Sequence, residues 1–101
     1  MKFLEKDKYP EFEPLCPFGP LSEAGVYGVF EYDEHHIATL LYVGASKNIQ
    51  KRVLAPNHHY IKLYRSGRNV CTRSIATDNY VELEKELIKK YKPELNIIHN
   101  G

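Results

Sequence analysis

Gly25-Val26-Tyr27-Gly28-Val29-Phe30-Glu31-Tyr32, followed after a polar break by Ala38-Thr39-Leu40-Leu41-Tyr42-Val43-Gly44-Ala45, is the stretch that decides the fold. In the first run Val26, Gly28, Phe30 and Tyr32 fall on one side, and Tyr27, Val29 and Glu31 on the other. That period of two predicts a strand over residues 24–33. Asp33-Glu34-His35-His36 is a polar turn, and a second strand is expected over 38–45. So short a link permits only an antiparallel hairpin.

Downstream of Gly44-Ala45 the pattern changes. Ser46 is the expected N-cap of a short helix from Lys47 to Leu54, ended before Pro56. Residues 57–68 fit one or two further helical turns through His59, Tyr60, Leu63 and Tyr64. Val70 to Ala76 is expected to be a third short strand. Asn79, with Glu82 three residues on, resembles a capping box opening a helix over 80–91, which Pro93 stops. The tail 94–99 is expected to be extended, with Leu95, Ile97 and Ile98 in the core. Upstream, Pro10, Pro14, Pro17 and Pro20 exclude regular helix or central strand from residues 1–22. That segment is expected as a proline-rich lead-in anchored on the core by Phe12, Leu15 and Phe18.

At 101 residues the chain is read as one domain, 1–101, with room for one modest core. No run approaches the roughly 20 apolar residues of a membrane helix. The charged start has no apolar signal core, so a cytoplasmic location is the default expectation. Cys16 and Cys71 form no CxxC pair, which favours neither a zinc site nor a disulfide framework. The net charge of +1 argues against a nucleic-acid binder until its distribution is considered. Residues 45–75 contain Lys47, Lys51, Arg52, Lys62, Arg65, Arg68 and Arg73 and no acid. A nearly neutral chain can thus present a basic face to phosphates, although charge runs are commonly no more than solvated surface.

One carboxylate is out of place. The stripe of the 80–91 helix runs Tyr80, Leu83, Glu84, Leu87, Ile88, Tyr91, and every member but Glu84 is apolar or aromatic. A carboxylate on a core-facing stripe needs a partner. It either sits at the stripe's edge, where it pairs with an arginine or snorkels to solvent, or holds a metal at the floor of a cleft.

Gly25-Val26-Tyr27, Tyr42-Val43-Gly44, the helix block Ala45–Arg52 and the block Leu83–Asn96 together resemble the GIY-YIG nuclease family, over about residues 24–98. The last block is especially similar to that of bacterial excision-repair incision subunits. The resemblance implies an α/β fold of the α+β type, a small three-stranded antiparallel sheet flanked by helices. It also implies metal-dependent hydrolysis of DNA with magnesium or manganese. Carried over by position, Tyr27 and Tyr42 line the scissile phosphate, Arg52 faces it, Glu84 binds the metal and Asn96 supports the site. Either tyrosine is a candidate general base. Many family members place a histidine or tyrosine one turn after the helix arginine, where this chain has Pro56; His58 and His59 are the candidate replacements. DNA contacts are expected from Gly44, Lys47, Lys51, Lys62, Arg65 and Arg68, with single-stranded, duplex and branched substrates all open. Neither a membrane nor a protein partner is implied. The alternative reading is a catalytically weak nucleic-acid-binding or interaction module that kept the fold.

Overall fold

The computed structural model describes residues 8–12 and 22–99, with side chains described as far as Asn96. The sheet has three antiparallel strands, β1 (Gly25–Tyr32), β2 (Ala38–Ser46) and β3 (Val70–Ala76), in the order β2-β1-β3. The central strand β1 is therefore the most buried, and both neighbours are edges. Among the described residues there are four helices: α1 (Ile49–Val53), α2 (His59–Arg65), α3 (Tyr80–Tyr91) and α4 (Glu94–His99).

Strand alternation sends side chains to both faces, and each face has its own core. On the first, Val26, Phe30, Leu40 and Val43 meet Leu87 of α3 and Phe12. Residues 8–12 are held there by the Tyr9 hydroxyl, which accepts a hydrogen bond from the Leu40 amide at 3.1 Å, and by Glu11, which receives Lys90 and Tyr91. Phe12 is thus the anchor expected from the lead-in; Leu15 and Phe18 lie outside the described residues. On the second face Tyr27, Val29 and Leu41 meet Ile49 and Val53 of α1, with Tyr60, Leu63 and Leu95 around them.

The hairpin contains an irregularity that plain alternation does not predict. Val29 pairs with Tyr42, but Phe30 pairs with Leu40, which leaves Leu41 as an extra residue. Leu41 and Tyr42 consequently share the second face, while Leu40 and Val43 share the first. A bulge re-aims a side chain in this way, and here it fixes Tyr42 on the same face as Tyr27.

Three local expectations are corrected. Asn48, not Ser46, caps α1: its side chain accepts from the Lys51 amide at 3.0 Å, while Ser46 Oγ takes the Asn48 amide. Asn79 stands at the start of α3 without a side-chain cap; its own amide goes to Thr77 Oγ1. The tail is helical rather than extended. Lys92 terminates α3 in the left-handed region at φ 46°, and Pro93 then restarts the chain, accepting the Asn96 amide at 3.1 Å. A fixed proline φ is well suited to a first helical turn.

Candidate functional site

Tyr27 lies in the middle of the central strand, 1% exposed, with its ring across the strand pair from Gly44. A Cβ at Gly44 would stand 2.3 Å from the Tyr27 hydroxyl oxygen and 2.4 Å from Cζ. The glycine is therefore the floor on which the Tyr27 ring lies, a reason for its presence independent of any phosphate contact. The bulge brings Tyr42 alongside, half-buried, with ring centroids 6.3 Å apart.

His58 completes this group. It is 1% exposed, and its Nε2 is 2.6 Å from the Tyr27 hydroxyl. Its Nδ1 accepts the Tyr60 amide at 3.0 Å, so the same ring is the N-cap of α2. His59 packs its ring 4.8 Å from that of Tyr42. Of the two candidate histidines, His58 reaches Tyr27, and His59 lies against Tyr42. The turn after Pro56 is what delivers them: α1 ends at Val53, and the His58 amide bonds back to Ala55 at 2.9 Å.

Burial holds the Tyr27 hydroxyl far above the usual tyrosine range; the neighbouring Tyr42 adds to the rise, the Arg52 charge opposes it, and Glu84 adds to it. Tyr42 is raised in the same sense by burial, again with Arg52 lowering and Glu84 raising. His58 is pushed down to about 4, by burial first and then by the Arg52 and His59 charges. The guanidinium of Arg52, exposed in the last turn of α1, and the carboxylate of Glu84 on α3 therefore both act electrostatically on both tyrosines.

Glu84 itself is half-buried, and burial raises its carboxyl while only Lys85 opposes. No ion pair to Glu84 is found among the described residues. Nor do those residues include a group of three or more His, Cys, Asp or Glu placed to hold a metal.

Asn96 is buried on α4 and closes both hydrogen bonds of one backbone position. Its Oδ1 accepts the Val43 amide at 2.7 Å, and its Nδ2 donates to the Val43 carbonyl at 2.9 Å. β2 is an edge strand, so these outward groups have no strand partner, and Asn96 takes that place. Its contact is to the backbone between Tyr42 and Gly44.

The basic stretch divides. Lys47, Lys51, Arg52, Lys62 and Arg65 are exposed. Arg68 instead forms a two-pronged pair with Glu31, Nε to Oε2 at 2.9 Å and Nη2 to Oε1 at 2.5 Å. Arg73 is buried, donating to the Phe12 carbonyl and lying over the Phe30 ring. On α2, Tyr60 packs against the second core while Tyr64 is 63% exposed, its ring stacked 6.2 Å from that of Tyr60. Among the described residues no helix is long and apolar enough to cross a membrane.

The strand alternation could not reveal the bulge, and the sequence signal for the His58 cap was a Pro-Asn-His run before a short amphipathic turn. A histidine is an uncommon cap, which is why its role emerges only from the geometry.

Compared with known proteins, the chain is similar to UvrABC system protein C. It is 35% identical over 81 residues to that of Bacteroides thetaiotaomicron, covering 70% of this chain and 13% of the relative. It is 36% identical over 85 residues to that of Rickettsia canadensis, with 74% and 12% covered. It is 41% identical over 66 residues to that of Methanococcus maripaludis, with 58% and 12% covered. The chain thus spans about one eighth of the length of these relatives. No family model matches the chain, and no solved structure matches it.

Proposed function

We propose that this chain is a divalent-metal-dependent DNA endonuclease of the GIY-YIG type, cutting at the corner where Tyr27, Tyr42, His58, Arg52 and Glu84 meet. The observation that supports this most is the convergence itself. Two tyrosine hydroxyls and a buried histidine lie together, under the influence of one exposed guanidinium and one half-buried carboxylate that forms no ion pair among the described residues. Such clustering of perturbed groups is a mark of functional sites. Similarity to UvrABC system protein C over most of the chain supports a role in DNA incision.

The donor chemistry at Glu84 fits magnesium or manganese. Hard cations take oxygen ligands and keep several waters, so one carboxylate can serve when substrate phosphate completes the shell. A cation bound there supplies polarisation of the phosphate and stabilisation of the leaving 3′ oxygen. The protein's own groups do the rest. Arg52 offers planar donors to the charge that builds on the phosphoryl oxygens. To take the proton of the attacking water as the new P–O bond forms and the P–O3′ bond breaks, one tyrosine of the pair would first have to reach its phenolate form, which the Arg52 charge favours against burial. Lys47, Lys51, Lys62 and Arg65 bind the flanking phosphates, which positions DNA without reading its sequence. Asn96 keeps the strand segment from Tyr42 to Gly44 in place.

Wild type and Glu84→Gln are to be compared on plasmid and on single-stranded, duplex and branched oligonucleotides, with and without magnesium. Wild type is expected to cleave only with metal, and Glu84→Gln to lose about three orders of magnitude in rate. The variant should melt at the same temperature or higher, because burial disfavours the Glu84 charge. Retained turnover in Glu84→Gln would overturn the metal assignment. Binding without cleavage of any substrate would leave the catalytically weak nucleic-acid module as the correct reading.

A further inference from the structure

The hydrogen bond between Tyr27 and His58 has a direction, and the other side of the imidazole determines it. A backbone amide can only donate, and the Tyr60 amide points at His58 Nδ1 from 3.0 Å. Nδ1 therefore carries no hydrogen while α2 is capped. A neutral imidazole has one N–H, so it sits on Nε2, which faces the Tyr27 oxygen at 2.6 Å. An imidazolium would aim Nδ1–H at the Tyr60 N–H and break the cap. The ring is 1% exposed, and burial favours its neutral form. The remaining possibility, Tyr27 donating to Nε2, needs a ring with no hydrogen on either nitrogen, which is an imidazolate.

We propose that His58 is held as the Nε2–H tautomer by the α2 cap, and that it donates a hydrogen bond to Tyr27 rather than taking that residue's proton. His58 is then a positioning residue. With its oxygen already accepting from His58, the Tyr27 hydroxyl sends its own hydrogen outward. Tyr42 is the neighbouring tyrosine, its ring centroid 6.3 Å from that of Tyr27. Of the two hydroxyls, that of Tyr27 is closed off while Tyr42 is only half-buried. This polarity rests on the reading of the corner as a nuclease site only for its catalytic consequence: Tyr42 is the hydroxyl oxygen turned toward substrate water. The tautomer itself depends on the fold alone.

Two substitutions separate the two nitrogens. Asparagine presents its oxygen near the position of Nδ1 and is a good cap, but is too short to reach Tyr27. Glutamine carries an amide N–H to about the position of Nε2. The test is a long-range nitrogen–proton spectrum of uniformly labelled protein at pH 8, for wild type and for Tyr27→Phe. The expected result in both is a His58 ring protonated at Nε2 and bare at Nδ1, since the cap, not Tyr27, sets it. A ring protonated at Nδ1 in wild type, or a tautomer that flips in Tyr27→Phe, overturns the proposal. In the cleavage assay, His58→Asn is expected to stay folded and to lose about 10- to 100-fold in rate, a hydrogen bond to a developing charge. His58→Gln is expected to recover most of that loss. Equal loss in both variants, with folding intact, would overturn the donor role. A wild-type protein with the expected tautomer but no cleavage of any DNA would leave the tautomer standing and remove the nuclease reading instead.

Discussion

Replacing Gly44 with alanine probes the site's geometry without changing a charge. The new methyl would lie 2.3 Å from the Tyr27 hydroxyl oxygen, 2.4 Å from Cζ and 2.9 Å from Cε1. Ordinary carbon contacts are about 3.5–4.0 Å, so the ring has to retreat by about 1 Å. It has no free space to enter: it packs with Val29, Leu41, Ile49 and Val53, and its hydroxyl is tied to His58. Overpacking a filled core costs about 1–3 kcal/mol. At this chain length each kcal/mol lowers the melting temperature by about 4–8 °C, so a fall of about 10 °C is expected, with displacement of Tyr27 from His58. The assay is a double-mutant cycle by urea and thermal unfolding of wild type, Gly44→Ala, Tyr27→Ala and the pair. Without the ring, the added methyl has room, and its cost should shrink to within about 0.5 kcal/mol of zero, a coupling of about 1–3 kcal/mol. Gly67→Ala is the control. Gly67 has φ +89° with nothing within 4 Å of a Cβ, so it should cost about 1 kcal/mol from backbone strain in either background. An equal cost of Gly44→Ala with and without the Tyr27 ring would refute the floor assigned to this glycine.

Lys62→Ala with Arg65→Ala should flatten the log–log salt dependence of DNA affinity by about two units. Arg68→Ala should leave that slope unaltered because its guanidinium is committed to Glu31; a slope that responded only to Arg68 would place DNA elsewhere. Asn96→Ala strands the Val43 amide and carbonyl and should cost about 2–4 kcal/mol in urea unfolding; a loss below about 0.5 kcal/mol would mean that the strand edge finds other partners. His58 is held down to about 4 against 6.5 in the unfolded chain, by burial first and then by Arg52 and His59. The unfolded chain binds that proton more readily, so stability from this residue is present above pH 6.5 and drains away toward pH 4. Melting curves across that window should be shallower for His58→Asn, and an unchanged acid slope would show that His58 is not the group responsible.

Much of the architecture could be read from the chain because it rests on periodicity. Alternation in Gly25–Tyr32 and a clean apolar stripe in Tyr80–Tyr91 give β1 and α3 nearly to the residue. The same stripe isolated Glu84, since a carboxylate among core positions contradicts its surroundings. What stayed hidden depends on groups distant in sequence. The bulge at Leu41 is a property of pairing, not of β2 alone. The tail 94–99 is too short for its period to show, and it is held by Asn96 docking on Val43, more than fifty residues away. Arg68 and Arg73 looked like members of one basic run; Glu31 and Phe30, which divert them, come from the opposite end of the charge pattern. His58 was one of two adjacent histidines, and only the entry of α2 distinguishes them.

The hold of Asn96 on Val43 also bears on the exposed edge of the sheet. β2 is an outer strand, and an outer strand offers a row of unsatisfied amides and carbonyls to any strand that comes alongside, including that of a second molecule. A side-chain amide copies the donor and acceptor of a peptide unit, and at Val43 it fills both at once with nothing further to extend. Strand addition along β2 would have to dislodge α4 first, so the same residue that steadies the segment from Tyr42 to Gly44 acts as a stopper against edge-to-edge aggregation.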